Sequence, residues 1–95
     1  MPITILATVR AKPQFFTNVE AALMAMVPTS RAEAGCSTYL LFRSEQQTGV
    51  FHLIETYADN VALNAHHQSP HFTELVNRLA DKLIGDIQIE QVTEL

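Results

Sequence analysis

Two runs of the chain, Cys36–Arg43 and Val50–Tyr57, are largely apolar whichever way they are read. A strand points successive side chains to opposite faces, so parity divides each run into two sets. In the later run Val50, His52, Ile54 and Thr56 share one face, and Phe51, Leu53, Glu55 and Tyr57 share the other. In the earlier run Cys36, Thr38, Leu40 and Phe42 oppose Ser37, Tyr39, Leu41 and Arg43. The polar link Glu45-Gln46-Gln47-Thr48-Gly49 between them predicts a hairpin. A sheet that is apolar on both faces must be covered on both.

The rest of the chain supplies cover for one face. Ile3–Arg10, with Ile3, Ile5 and Val9, reads as a first strand. Lys12-Pro13 ends it, and Pro13 suits the first turn of a helix. Phe15, Val19, Ala22, Leu23, Met26 and Val27 recur at helical spacing. Pro28 lacks a backbone donor and predicts a kink or break, with helix resuming to about Glu33. Gly35 suits the left-handed residue that closes a helix. After the hairpin, Asp59 caps a short helix through about His67, and Ser69 caps another with Pro70 at its first position. Phe72, Leu75, Val76, Leu79 and Leu83 form the buried stripe of that helix, Gly85 stops it, and Ile87–Val92 is a fourth strand. The order β-α-β-β-α-β is ferredoxin-like: an α+β fold whose four-stranded antiparallel sheet carries helices on one face. The simplest cover for the other face is the same face of a second copy, giving a homodimer.

Size supports that expectation. A chain of 95 residues makes one domain, residues 1–95. Such a chain buries only about 60–65% of its unfolded surface, yet 47% of its residues are hydrophobic. Some apolar side chains therefore face a partner. A net charge of -4, a pI near 5.4 and six scattered basic residues argue against nucleic acid. Cys36 is the lone cysteine, so no intrachain disulfide forms. The start, Met1-Pro2-Ile3-Thr4-Ile5, shows neither a signal peptide nor a membrane span, and we read the protein as cytoplasmic with no membrane partner.

Chemistry concentrates in the stretch from Glu55 to Phe72. His66, near the end of the short helix, reads either as a general base or as a helix-terminal donor to a carbonyl. His71, in the first turn of the next helix, sits at a positive dipole end that favours neutral imidazole, suited to hydrogen bonding or to base catalysis. His67 and His71 are four apart, but Ser69-Pro70 interrupts the helix between them, so no metal site is expected. His52 either faces the pocket or pairs across the sheet. Glu55 interrupts an apolar strand, and a buried carboxylate needs a partner. An ion pair with Arg43 or Arg10 is the simpler reading, and orientation of a catalytic His the functional one. Tyr39 and Tyr57 either donate to a substrate oxygen or pack with a satisfied hydroxyl. Phe72 completes the candidate substrate-binding set of Tyr39, Arg43, His52, Glu55, Tyr57 and Phe72. Cys36 has no basic neighbour in sequence and reads as a small buried hydrophobe. No phosphate loop or cofactor fingerprint is present, so any chemistry comes from the substrate and a proton acceptor in an apolar pocket.

Three segments resemble the antibiotic biosynthesis monooxygenase family. Thr4–Pro13 resembles its first strand and turn, and Val27–Tyr39 its E-x-G-C lead-in to the second strand. Within Val50–Phe72, residues 55–72 resemble its central motif, E-x-[YW]-x-[DS]-x-x-A-L-x-x-H-x-x-S-P-H-F. The resemblance implies a dimeric α+β barrel and, often, cofactor-independent oxygenation of quinols, anthrones or similar electron-rich aromatics by dioxygen. Heme-degrading members carry an Asn in the first strand, a Trp at the position of His66 and a His at the position of Val76. The chain has Ala7 or Thr8, His66 and Val76 there, which argues against heme. The His66 and His71 pattern is similar to the quinol monooxygenase and autoinducer-isomerase branches, and the lack of a basic cluster argues against a phosphorylated substrate. The expectation is catalysis by His66 and His71 without cofactor, with Tyr39, Tyr57 and Arg43 bonding oxygen atoms. The alternatives are a non-redox isomerase and a non-catalytic small-molecule-binding module.

Overall fold

The computed structural model describes residues 1–95. Strands β1 (Ile3–Arg10), β2 (Cys36–Arg43), β3 (Val50–Tyr57) and β4 (Gln88–Val92) form one antiparallel sheet in the order β2-β3-β1-β4. Helices α1 (Phe16–Arg31, after a 3-10 turn at Pro13–Phe15), α2 (Asn60–His67) and α3 (Pro70–Leu79) complete a ferredoxin-like α+β fold. The first three strands fall where the sequence places them, and β4 starts one residue after Ile87. No helix is long and apolar enough to cross a membrane.

Burial alternates along β1, with Ile3, Ile5, Ala7 and Val9 buried. The register sets Ala7 opposite Leu53 of β3 on one side and Ile89 of β4 on the other. This face, with Tyr39 of β2 and Phe51 and Leu53 of β3, packs against Val19, Ala22, Leu23 and Met26 of α1 and Leu75 and Leu79 of α3. Full burial of a residue such as Leu23 stabilises by about 1.5–3 kcal/mol. The opposite face carries Leu6, Leu40, Phe42 and Ile54 among Thr4, Thr8, Thr38, His52 and Thr56, and no helix lies over it. Leu40 is 40% and Phe42 50% exposed.

Four local expectations are corrected. The helix does not break at Pro28: α1 is continuous through it. Pro28 and Met24 lie on the solvent side, where water can take the carbonyl that loses its donor. Gly35 is not left-handed. Its role is close approach, because a Cβ there would collide with the Ala62 side chain of α2. Helix α3 stops at Leu79 instead of running to Gly85, and Asp81 takes the left-handed conformation at φ 64°. Leu83 then leaves the helix stripe and bridges Ala11 beyond β1, while Val76 is 51% exposed. Last, a bulge between Cys36 and Thr38 turns Cys36 to the helix-covered face, opposite Tyr57 and against the parity reading.

Candidate functional site

The corner between α2 and α3 places the central side chain. Ala62 N–H donates to the Asp59 side chain at 2.9 Å, starting α2, and Phe72 N–H donates to Ser69 Oγ at 3.2 Å, starting α3. The Ser69 hydroxyl also donates to the His66 carbonyl at 2.6 Å, tying the end of one helix to the start of the next. His66 therefore points inward and is 1% exposed. Its ring lies 5.1 Å from Tyr57, 5.3 Å from Phe72 and 6.0 Å from Tyr39, centre to centre.

Both imidazole nitrogens of His66 face carboxylates. Nδ1 is 2.8 Å from Glu33 Oε2, and His71 Nε2 is 2.6 Å from that same oxygen. Nε2 lies 3.8 Å from Glu55 Oε1, which accepts the Tyr57 hydroxyl at 2.6 Å. The network runs His71, Glu33, His66, Glu55, Tyr57. It places two carboxylates and an imidazole in a largely buried setting where unpaired charge is costly. Burial, then the bond to Glu55, pushes the Tyr57 hydroxyl far above the usual tyrosine range, so it remains a donor. Burial and the charge of Glu55 push the Tyr39 hydroxyl up as well. Burial, then Glu33, raises the Cys36 thiol, which keeps it protonated and unreactive. Burial and the neighbouring His66 lower His67.

A cavity of about 60 Å³ lies between sheet and helices beside this network. Its walls are mostly apolar, from Ile5, Ala7, Val9, Leu23 and Leu53, and its polar groups are Tyr39, Glu55, His66 and His67. Phe72, Ile87 and Ile89 line the side nearest solvent, where Ile89 is 62% exposed. A much larger depression, about 630 Å³, lies at the far end of the sheet around Glu20, Arg43 and Phe51. It is open and contains no histidine. The smaller cavity is the candidate site, because buried titratable groups converge there.

The structure brings together Tyr39, Glu55, Tyr57, His66, His71 and Phe72. It separates His52 and Arg43 from them. His52 is on the bare face, with Nδ1 3.2 Å from the Thr8 hydroxyl, and Arg43 donates to Glu20 at 2.7 Å near solvent. The hydrogen-bond partner of Glu55 is Tyr57, with His66 Nε2 nearby at 3.8 Å, and not Arg43 or Arg10, which donate to Glu20 and Gln88. Glu33 is the residue that reading the sequence missed. It lies 33 positions from His66, and only its place in the E-x-G-C segment hinted at it.

Glu33, His66 and His71 place donor atoms within 4.8 Å of one another, so a cation is the other arrangement to consider. Ligands about 2.0–2.2 Å from one metal at tetrahedral angles stand roughly 3.3 Å apart. The contacts of 2.6 and 2.8 Å are shorter and have hydrogen-bond lengths. The triad is a hydrogen-bonded carboxylate shared by two imidazoles.

Residues 2–78 match the family model of antibiotic biosynthesis monooxygenases. A Mycobacterium tuberculosis protein, Rv0793, provisionally named a monooxygenase, is 29% identical over 94 residues, covering 99% of this chain and 92% of the relative. Its solved structure has a TM-score of 0.92 at 28% identity, covering 100% of this chain and 96% of that one. The structure of PA3566 from Pseudomonas aeruginosa reaches 0.93 at 34% identity, covering 99% and 94%. The chain spans 65% of the length of a Synechocystis relative that is 28% identical and has no assigned activity.

Proposed function

The chain belongs to the antibiotic biosynthesis monooxygenase family, and from that premise we propose that it is a cofactor-independent monooxygenase acting on a small electron-rich aromatic, a quinol or anthrone. The observation that carries the reading is the buried His66, with Nδ1 held by Glu33 and Nε2 unbonded, 3.8 Å from Glu55, where both His66 and Glu55 line a largely apolar cavity. In this mechanism a substrate hydroxyl, or the acidic C–H of an anthrone, gives its proton to Nε2. The ring anion then passes an electron to dioxygen, the radical pair couples to form a C–O bond, and the resulting peroxide anion takes the proton back from the His66 imidazolium. The hydroperoxide so formed loses water to leave a carbonyl. One oxygen atom enters the product and the other leaves as water.

The protein contributes position, exclusion of water and a place for the proton. No Lys or Arg lines the cavity, and Glu55 does, which suits a neutral hydroxyl donor and disfavours phosphate or carboxylate groups. At about 60 Å³ the cavity is smaller than the roughly 150 Å³ that admits benzene, so a ring enters by displacing the wall at Phe72, Ile87 and Ile89. In the same reading the bare sheet face pairs with a second copy through Leu6, Leu40, Phe42 and Ile54, and the protein works as a homodimer in the cytoplasm.

Labelled dioxygen tests the reaction. With ¹⁸O₂ and a hydroquinone or anthrone that turns over, one labelled atom should appear in the product. Conversion of an enolisable substrate without oxygen would instead favour an isomerase using the same base. Binding without conversion would favour a small-molecule-binding module.

A further inference from the structure

We propose that Glu33 is the positioning residue of this site and that His71 acts through it rather than as a second base. The inference rests on reading His66 as the proton acceptor and adds the means by which one nitrogen is kept free for that task. A carboxylate oxygen only accepts hydrogen bonds. With Glu33 ionised, its Oε2 accepts from Nδ1 of His66 at 2.8 Å and from Nε2 of His71 at 2.6 Å, an arrangement in which both nitrogens carry hydrogen. With its hydrogen on Nδ1, neutral His66 has its lone pair on Nε2. That nitrogen has no committed partner. The nearest protein oxygen, Glu55 Oε1, is 3.8 Å away, beyond hydrogen-bond reach, and is already bonded by Tyr57.

His71 is placed differently. Its side chain is 22% exposed, and it lines a groove between α1 and α3 rather than the cavity. Its link to the site is the bond to Glu33, which fixes the carboxylate on a turn between α1 and β2. The arrangement divides the work. His66 takes the proton, Glu33 sets its tautomer and stabilises the imidazolium, and His71 holds Glu33 still. Carboxylates that orient a catalytic imidazole elsewhere act in this way.

The test is long-range ¹H–¹⁵N NMR of the histidine rings in the wild type, Glu33→Ala and Glu33→Gln, which reads the tautomer without any substrate. The wild type near neutral pH should show His66 protonated at Nδ1 and bare at Nε2. Glu33→Ala should move hydrogen to Nε2, and Glu33→Gln, which keeps an acceptor oxygen and nearly the same shape, should lie between. On a substrate that turns over, Glu33→Ala should lower kcat about 10²–10⁴-fold with KM unchanged. His71→Phe should lose less, and His71→Gln, which restores an N–H donor, should recover part of that loss. A wild-type His66 protonated on Nε2 alone, or on both nitrogens, would overturn the proposal, as would a tautomer indifferent to Glu33→Ala. Full turnover by His66→Ala would instead remove the base reading and leave the tautomer result standing.

Discussion

The two faces of the sheet start from similar sequence and end in different chemistry. On the helix-covered face three polar groups of β2 and β3 are withdrawn from water, while Arg43 at its edge stays exposed. Tyr39, Tyr57 and Glu55 are buried, and Tyr57 and Glu55 join His66 and Glu33 in one network. On the bare face, polar groups pair locally across strands, Thr4 with Thr56 and Thr8 with His52, while Leu40 and Phe42 remain exposed among them. Burial is what separates the two histidines. His66 is buried beside the cavity with Nδ1 bonded to Glu33, whereas His52 is half-buried and bonded to a hydroxyl. The same residue type is a candidate base on one face and a cross-strand partner on the other.

The largest expected effect lies in the covered network. His66→Ala should lower turnover about 10²–10⁴-fold, while His52→Ala should leave kcat near wild type. Equal losses in steady-state assays would erase the distinction between the faces. Packing should divide in the same way. Leu23→Ala, beneath the sheet, should cost about 2–5 kcal/mol in urea unfolding. Leu40→Asp, on the bare face, should spare the fold of the protomer and shift sedimentation from dimer to monomer. A monomeric wild type would contradict the proposed pairing.

A smaller effect concerns Tyr57. Tyr57→Phe leaves Glu55 Oε1 without its donor and should cost about 1–3 kcal/mol. The fold favours the protonated phenol, so that contribution is complete below the usual tyrosine range near pH 10 and is lost as pH rises above it. Wild-type stability should therefore fall more steeply than that of Tyr57→Phe above about pH 10, as read from urea midpoints. The smallest effect belongs to Arg43 and Glu20. Their exposed pair holds the Glu20 carboxyl below its usual range, so any stability it adds is present above that range and lost as pH falls through it. Arg43→Ala should leave turnover unchanged and move the melting temperature little, less still in high salt.

Element types and three strand boundaries could be read from the sequence because apolar alternation, helical spacing and the caps Asp59 and Ser69 are local signals. Side-chain alternation puts Glu55 with Tyr57 and apart from His52, but it does not say which side the helices cover. Where reading failed, the cause was nonlocal. Gly35 is needed because Ala62 packs against it, and α3 ends at Leu79 because the following segment is held to β1, with Ile84 N–H donating to Arg10 O at 2.7 Å. Glu33 belongs to the E-x-G-C segment, which marks it without assigning it a partner. Its importance comes from the turn after α1 meeting the end of α2, a contact between distant segments.

The central claim is that a buried, carboxylate-held His66 drives oxygenation without a bound cofactor. Oxygen uptake by metal-stripped wild-type protein on hydroquinones and anthrones, corrected for auto-oxidation and run beside His66→Ala, tests it most directly. The account predicts protein-dependent uptake that survives metal removal and nearly vanishes in the variant. Uptake that requires added metal, or that His66→Ala retains in full, would contradict it.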